Sequence, residues 1–276
     1  MSAIQAIILG AIQGLTEFIP VSSSGHLIAV PYLLGWNYQG KTFDVAAHLG
    51  TLVAVVAFYW RDWVMMFSSF YSHVVKHESY EKQEVGGGTG RLLVPIIIAC
   101  IPAAIAGVVW GDVIENQLSK WYFVAPTLVI FGALMLVADR LGKKQRDVSR
   151  MNYGDYILIG IAQALALFPG VSRSGITITT GLFRGLDRPA AARFSFLLST
   201  PIIFGAGLVA AKHLAKTGLP AGESGAFIAG FISAAIFGYI AIKVLISFLQ
   251  KNTLTAFAIY RFALAAFLVG VFMLKK

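Results

Sequence analysis

The sequence predicts an all-α integral membrane protein with an inverted-topology repeat, made of six transmembrane helices plus two re-entrant helical hairpins. Three observations carry this reading. Hydrophobic residues make up 57% of the 276-residue chain and charged residues 13%, against roughly 45–50% and about 25% in soluble domains. Several apolar runs reach the roughly 20 residues that cross a bilayer, and the alternation of a membrane barrel is absent. Finally, the segment Gln13 to Gly25 is answered in frame, without a gap, by Gln163 to Gly175.

The chain reads as a single membrane domain, 1–276, in two halves. The first half, 1–138, opens with a hairpin over 3–36, whose arms flank Pro20 and the serines at 22–24. Helices follow over 43–70, 91–113 and 121–138, and a basic linker, Asp139 to Arg150, closes the half. The second half, 153–274, repeats the plan with a hairpin over 153–183 and helices over 189–211, 224–249 and 254–274. The arm Ser174 to Phe183 would be only about 15 Å long, half a bilayer. Pro and several hydroxyls are tolerated at membrane depth only where they line a polar cavity. Each opening pair is therefore expected to re-enter, with its tip near the midplane. Three crossings per half, an odd number, make the second half enter from the opposite face, and the two tips then meet.

Charge gives the orientation. The net charge is +9, but the basic residues cluster between apolar runs, which points to the positive-inside bias and not to nucleic acid. Arg61, the run Arg140, Lys143, Lys144, Arg146 and Arg150, and Arg184, Arg188 and Arg193 fall on one face, expected to be cytoplasmic. Both termini then lie outside. Cys100 is the only cysteine, so there is no disulfide frame and no thiolate metal site. No basic leader precedes the first polar segment, and Met1 onward reads as mature protein. The loop Gly86-Gly87-Gly88, after Glu78, Glu81, Lys82 and Glu84, lacks the Lys-Ser/Thr ending of a phosphate loop and reads as solvated.

The chemistry concentrates at the tips, because ionisable groups at membrane depth are costly and functional by default. Gln13 and Glu17 stand four apart on one helix face. Their oxygens suit a hard divalent cation, Mg2+ or Ca2+; a buried proton carrier or a paired structural acid are the alternatives for Glu17. Ser22, Ser23 and Ser24 sit where a helix starts and could simply cap free amides. With Gly25 and His26 they also supply a nucleophile, close backbone approach and a base, since serine needs a neighbouring base to attack. Arg173, in a Pro-Gly-Val-Ser-Arg-Ser turn opening a short helix, suits bidentate phosphate contact. Both tips present helix N-termini, which attract anions. Asp44, His48, Tyr260 and Arg261 read equally as supporting or gating groups and as helix-end pairs.

At these residues the chain resembles the undecaprenyl-diphosphate phosphatase family, also called bacitracin-resistance proteins. The resemblance spans essentially the whole length. It rests on Gln13-x-x-x-Glu17 running into Pro20-Val21-Ser22-Ser23-Ser24-Gly25-His26, paired with Pro169-Gly170-Val171-Ser172-Arg173-Ser174-Gly175-Ile176-Thr177. It implies hydrolysis of a polyprenyl diphosphate lipid to the monophosphate and inorganic phosphate, at the outer face of the bacterial plasma membrane, with a divalent cation. It also implies Glu17, Ser23, His26 and Arg173 as catalytic residues. Ser22, Ser24, Gly25, Ser172, Ser174 and Thr177 are then expected around the substrate, and Glu17 with Gln13 around the metal. The family accepts Glu or Gln at the first motif position, and this chain has Gln13, which leaves Glu17 as the anionic ligand. Whether Ser23 or His26 takes the phosphoryl group stays open, as does the oligomeric state, a homodimer included. The rival reading is a transporter or flippase for a lipid phosphate or anion on the same repeat plan.

Overall fold

The computed structural model describes residues 1–36, 41–77, 89–118, 121–217 and 224–274. Its helices, in chain order, are α1 (Ala3–Phe18), α2 (Ser23–Leu34), α3 (Lys41–Phe58), α4 (Trp60–Val75), α5 (Leu93–Leu118), α6 (Trp121–Leu141), α7 (Tyr153–Ala164), α8 (Arg173–Phe183), α9 (Arg188–Thr217), α10 (Ser224–Leu249) and α11 (Thr255–Leu274). The described residues form no strand beyond an isolated bridge between Arg146 and Leu186. Five helices, α5, α6, α9, α10 and α11, are long and apolar enough to cross a membrane, or six spans if the bent pair α3–α4 counts as one. Side chains such as Val108, Leu141 and Ile4 stand outward, 88%, 73% and 70% exposed. An apolar exterior on apolar helices of this length is that of an integral membrane protein.

One expected element is corrected. The helix anticipated over 43–70 is two, α3 and α4, meeting at 71°. The break falls at Tyr59, whose backbone (φ −102°, ψ 24°) leaves the helical region. Arg61 and Asp62 follow at once, and charges of this kind are costly to carry deeper into hydrocarbon. Asp62 instead pairs with Arg193 at the start of α9, and α4 runs off in a new direction. The triple-glycine loop and the acidic residues before it lie outside the described residues.

The two halves pack through one another. α1 lies against α10 of the second half, α7 lies against α5 of the first, and α3 with α9 and α6 with α11 pair across the halves. Glycine sets the approach at α1. A Cβ on Gly10 would stand 2.3 Å from the Gly230 carbonyl oxygen, and one on its repeat partner Gly160 would stand 2.4 Å from that of Ala99. Without a hydrophobic drive between helices in lipid, close packing carries much of the association, and small residues permit it by letting backbones approach. The linker between the halves is fixed by buried carboxylates. Asp155 takes Arg146 at 2.6 Å and Arg184 at 2.7 Å, while Asp139 takes Arg188 at 2.6 Å and the Leu254 amide at 3.0 Å.

Candidate active site

The site starts from two turns of the same construction. α1 stops at Ile19, whose backbone is extended (ψ 133°), just before Pro20. α7 tightens into a 3-10 turn over Leu165–Leu167 and stops at Phe168 (ψ 122°), before Pro169. In each turn a serine takes a positive φ, Ser22 at 77° and Ser172 at 67°. Each then caps the following helix: Ser22 Oγ accepts from the Gly25 amide at 3.4 Å, and Ser172 Oγ from the Gly175 amide at 3.2 Å. A non-glycine residue in this region is uncommon and costs about 1–3 kcal/mol. The same strained serine therefore appears twice, 150 positions apart, and it turns both helix N-termini toward one place.

The tips touch. The Gly170 amide donates to Ser24 Oγ at 3.2 Å, and Ser174 Oγ donates to the Ile19 carbonyl at 3.5 Å. Gly170 (φ 92°) must be glycine, because a Cβ there would lie 2.1 Å from Thr127 Oγ1. Arg261, fully buried, fastens the second tip. Its guanidinium donates to the carbonyls of Gly170 (2.8 Å), Val171 (3.0 Å), Leu128 (3.2 Å) and Thr127 (3.5 Å).

Glu17 stands at the junction. Its Oε1 accepts from Arg173 Nη2 at 2.8 Å. Its Oε2 accepts from Ser23 Oγ at 2.9 Å and from Gln13 Nε2 at 2.9 Å, with His48 Nε2 3.7 Å away. A carboxylate and a hydroxyl from the first tip thus meet a guanidinium from the second. They border a cavity of about 470 Å3, lined also by Ser24, Ser172, Asp44, His48 and Gln163, with apolar walls from α3, α5 and α9. Arg173 Nη1 is buried and has no partner within the protein.

Not every residue expected here faces this cavity. His26 does not meet Ser23. Its Nδ1 is 2.7 Å from the Ser22 carbonyl, its Nε2 is 2.7 Å from Tyr260 Oη, and its ring stacks on that tyrosine. The imidazole expected as the serines' neighbouring base is not placed on Ser23, because both its ring nitrogens are engaged and Ser23 turns to Glu17 instead. Among the residues expected around the substrate, Ser24 and Ser172 line the cavity, whereas Ser22 and Gly25 form the first cap. Ser174 joins the tips, and Thr177 bonds the Arg173 carbonyl at 2.8 Å and Ser195 Oγ at 2.6 Å. Asp44 and His48, read evenly from sequence, both line the cavity, and the Asp44 carbonyl holds His48 Nδ1 at 2.7 Å. Gln163 also lines the cavity, and its repeat relation to Gln13 is the sequence signal that marks it.

Among the described residues no group of three His, Cys, Asp or Glu could hold a metal ion. The donors around Glu17 are oxygens: its own carboxylate, Ser23 Oγ, and Gln13 Oε1, which is buried and unpartnered, while Asp44 lines the same cavity. That set fits a hard cation which fills the rest of its shell with water and phosphate oxygens, and it does not fit one caged by protein alone.

Fold and site together define a class: an all-α, multi-pass membrane protein with an acid, a hydroxyl and a guanidinium gathered at two converging helical turns. The chain belongs to the family described as bacitracin resistance protein BacA, which matches residues 6–267. Proteins named undecaprenyl-diphosphatase are similar over nearly their whole length. That of Rubrobacter xylanophilus is 45% identical over 276 residues, covering 99% of this chain and 100% of the relative. That of Moorella thermoacetica is 45% identical over 277 residues, covering all of both, and that of Thermomicrobium roseum 42% over 278, covering 98% of each.

Proposed function

We propose that this chain hydrolyses undecaprenyl diphosphate to undecaprenyl phosphate and inorganic phosphate, recycling the lipid carrier of cell-wall synthesis. The observation that carries the reading is the Glu17–Ser23–Arg173 junction on a cavity that all three residues line, with Arg173 Nη1 left without a partner within the protein. The relatives' shared name supplies the substrate. The protein sits in the bacterial plasma membrane with both hairpins re-entrant, the halves oppositely inserted and the cavity opening to the outer side. The polyprenyl tail stays in lipid while the diphosphate enters between the tips.

Ser23 Oγ attacks the terminal phosphorus. Its proton passes to Glu17 Oε2, which already accepts the Ser23 hydrogen bond, and the P–O bond to the lipid monophosphate breaks. Water then attacks the phosphoserine, Glu17 returns the proton to Oγ, and inorganic phosphate leaves. Arg173 keeps Nη2 on Glu17 and offers Nη1 to a phosphoryl oxygen, holding charge where it develops. Glu17, Gln13 Oε1 and Ser23 would hold Mg2+ or Ca2+, which when bound neutralises phosphate charge. His26, locked between the Ser22 carbonyl and Tyr260, keeps the strained Ser22 turn in place.

Phosphate release by the purified protein in detergent tests this. Ser23→Ala should cut turnover by about 10²-fold or more, the scale of losing a preorganised catalytic group. His26→Ala should cost less than Ser23→Ala. If Ser23→Ala keeps near-normal release, the nucleophile is assigned wrongly. If the wild type moves a lipid phosphate across vesicles without cleaving it, the transporter reading replaces this one, because carriage needs no nucleophile.

A further inference from the structure

The repeat is broken at one position in a way that leaves a polar group without an occupation. Gln13 and Gln163 are partners in the repeat. One turn beyond Gln13 stands Glu17, which accepts its Nε2 at 2.9 Å. One turn beyond Gln163 stands Leu167, inside the 3-10 turn that ends α7. Gln163 therefore has no carboxylate to meet. It is 2% exposed, neither its Nε2 nor its Oε1 has a partner within the protein, and it lines the same cavity as Arg173. A buried amide unpaired at both ends is destabilising, and an apolar side chain at the same place would not be.

We infer that Gln163 is a substrate-binding residue: its Nε2 donates to a non-bridging oxygen of the terminal phosphoryl group beside Arg173 Nη1. Its Oε1, an acceptor only, takes a water held next to that phosphoryl group. The chemistry on offer is an acceptor-rich, water-bearing group, which a diphosphate headgroup supplies and an apolar lipid tail does not. An amide adds a directed donor without adding charge, so it orients the phosphoryl group that Arg173 attracts. The inference rests on the phosphatase reading above for the identity of the substrate, but not for the presence of an anion.

The test compares wild type, Gln163→Leu and Gln163→Glu, each as the full chain in detergent. The readouts are thermal melting with and without inorganic diphosphate, and kcat and KM on undecaprenyl diphosphate. Gln163→Leu should melt no lower than wild type, lose most of the stabilisation by inorganic diphosphate, and lose about tenfold or more in kcat/KM, the size of a hydrogen bond to a charged group. Gln163→Glu, similar in shape but negative, should lose more than Gln163→Leu. A purely structural amide would give the reverse order, since the near-isosteric Glu would disturb packing least. Three results overturn the inference: kcat/KM for Gln163→Leu within about twofold of wild type, an undiminished diphosphate effect, or a Gln163→Leu that melts well below wild type or fails to fold. If the wild type releases no phosphate yet inorganic diphosphate stabilises it and not Gln163→Leu, the activity falls and the anion-binding role stands.

Discussion

Arg173 shows how much one side chain decides. Nη2 is committed to Glu17 at 2.8 Å, and Nη1 is buried and unpaired within the protein. Only a planar fork offers both at once, so lysine is no substitute even though it keeps the charge. Arg173→Lys should retain folding and lose phosphate release by about 10²-fold, much as a lost preorganised donor does; a Lys variant within about threefold of wild type in steady-state assay would contradict the role of the fork in bridging Glu17 and phosphate. Glu17 and Arg173 were both legible as outliers in apolar sequence. The contacts of His26 were not, because spacing along a helix places residues near one another without saying which way a ring turns. Here the Ser22 carbonyl and Tyr260, 234 positions away, claimed both nitrogens.

At the scale of elements, the turn between α7 and α8 is held from outside by α11. Arg261 reaches the carbonyls of Gly170 and Val171 and, on α6, those of Thr127 and Leu128. Arg261→Met would leave several buried carbonyls unpaired, at roughly 1–3 kcal/mol each. It should therefore lower the melting temperature and abolish activity together, whereas Arg261→Lys, which reaches fewer carbonyls, should recover part of both. A stable but inactive Arg261→Met would instead place Arg261 on the substrate. The sequence displayed this arginine but not its duty, since the carbonyls it serves belong to two segments far from it in the chain. The two helical turns were legible because proline, glycine and serine fix them locally. The break at Tyr59 was not: the apolar run continues past it to Phe70, and the deciding partner of Asp62, Arg193, lies in the other half.

For the whole molecule, the in-frame repeat brings two copies of one turn to a single shared cavity. Halves that pack through one another, α1 on α10 and α7 on α5, bring unlike copies of one turn face to face, and the differences between copies make the chemistry. Ser23 faces the role that Arg173 fills in the other copy, and Glu17 faces that of Leu167. The cation proposed above would meet few protein oxygens beyond Glu17, so its binding should be weak and dependent on phosphate. Chelation should abolish phosphate release and millimolar Mg2+ or Ca2+ should restore it fully, with little change in melting temperature when substrate is absent. A large loss of stability on chelation alone would mean a structural ion bound elsewhere.

The convergence of the two turns is tested most directly by a double-mutant cycle on phosphate release, using Glu17→Ala, Arg173→Ala and the pair. Groups in contact that act as one unit do not contribute additively. The double variant should be about as slow as the slower single one. If the two losses multiply, Glu17 and Arg173 work independently, and the meeting of the tips is not what makes this site.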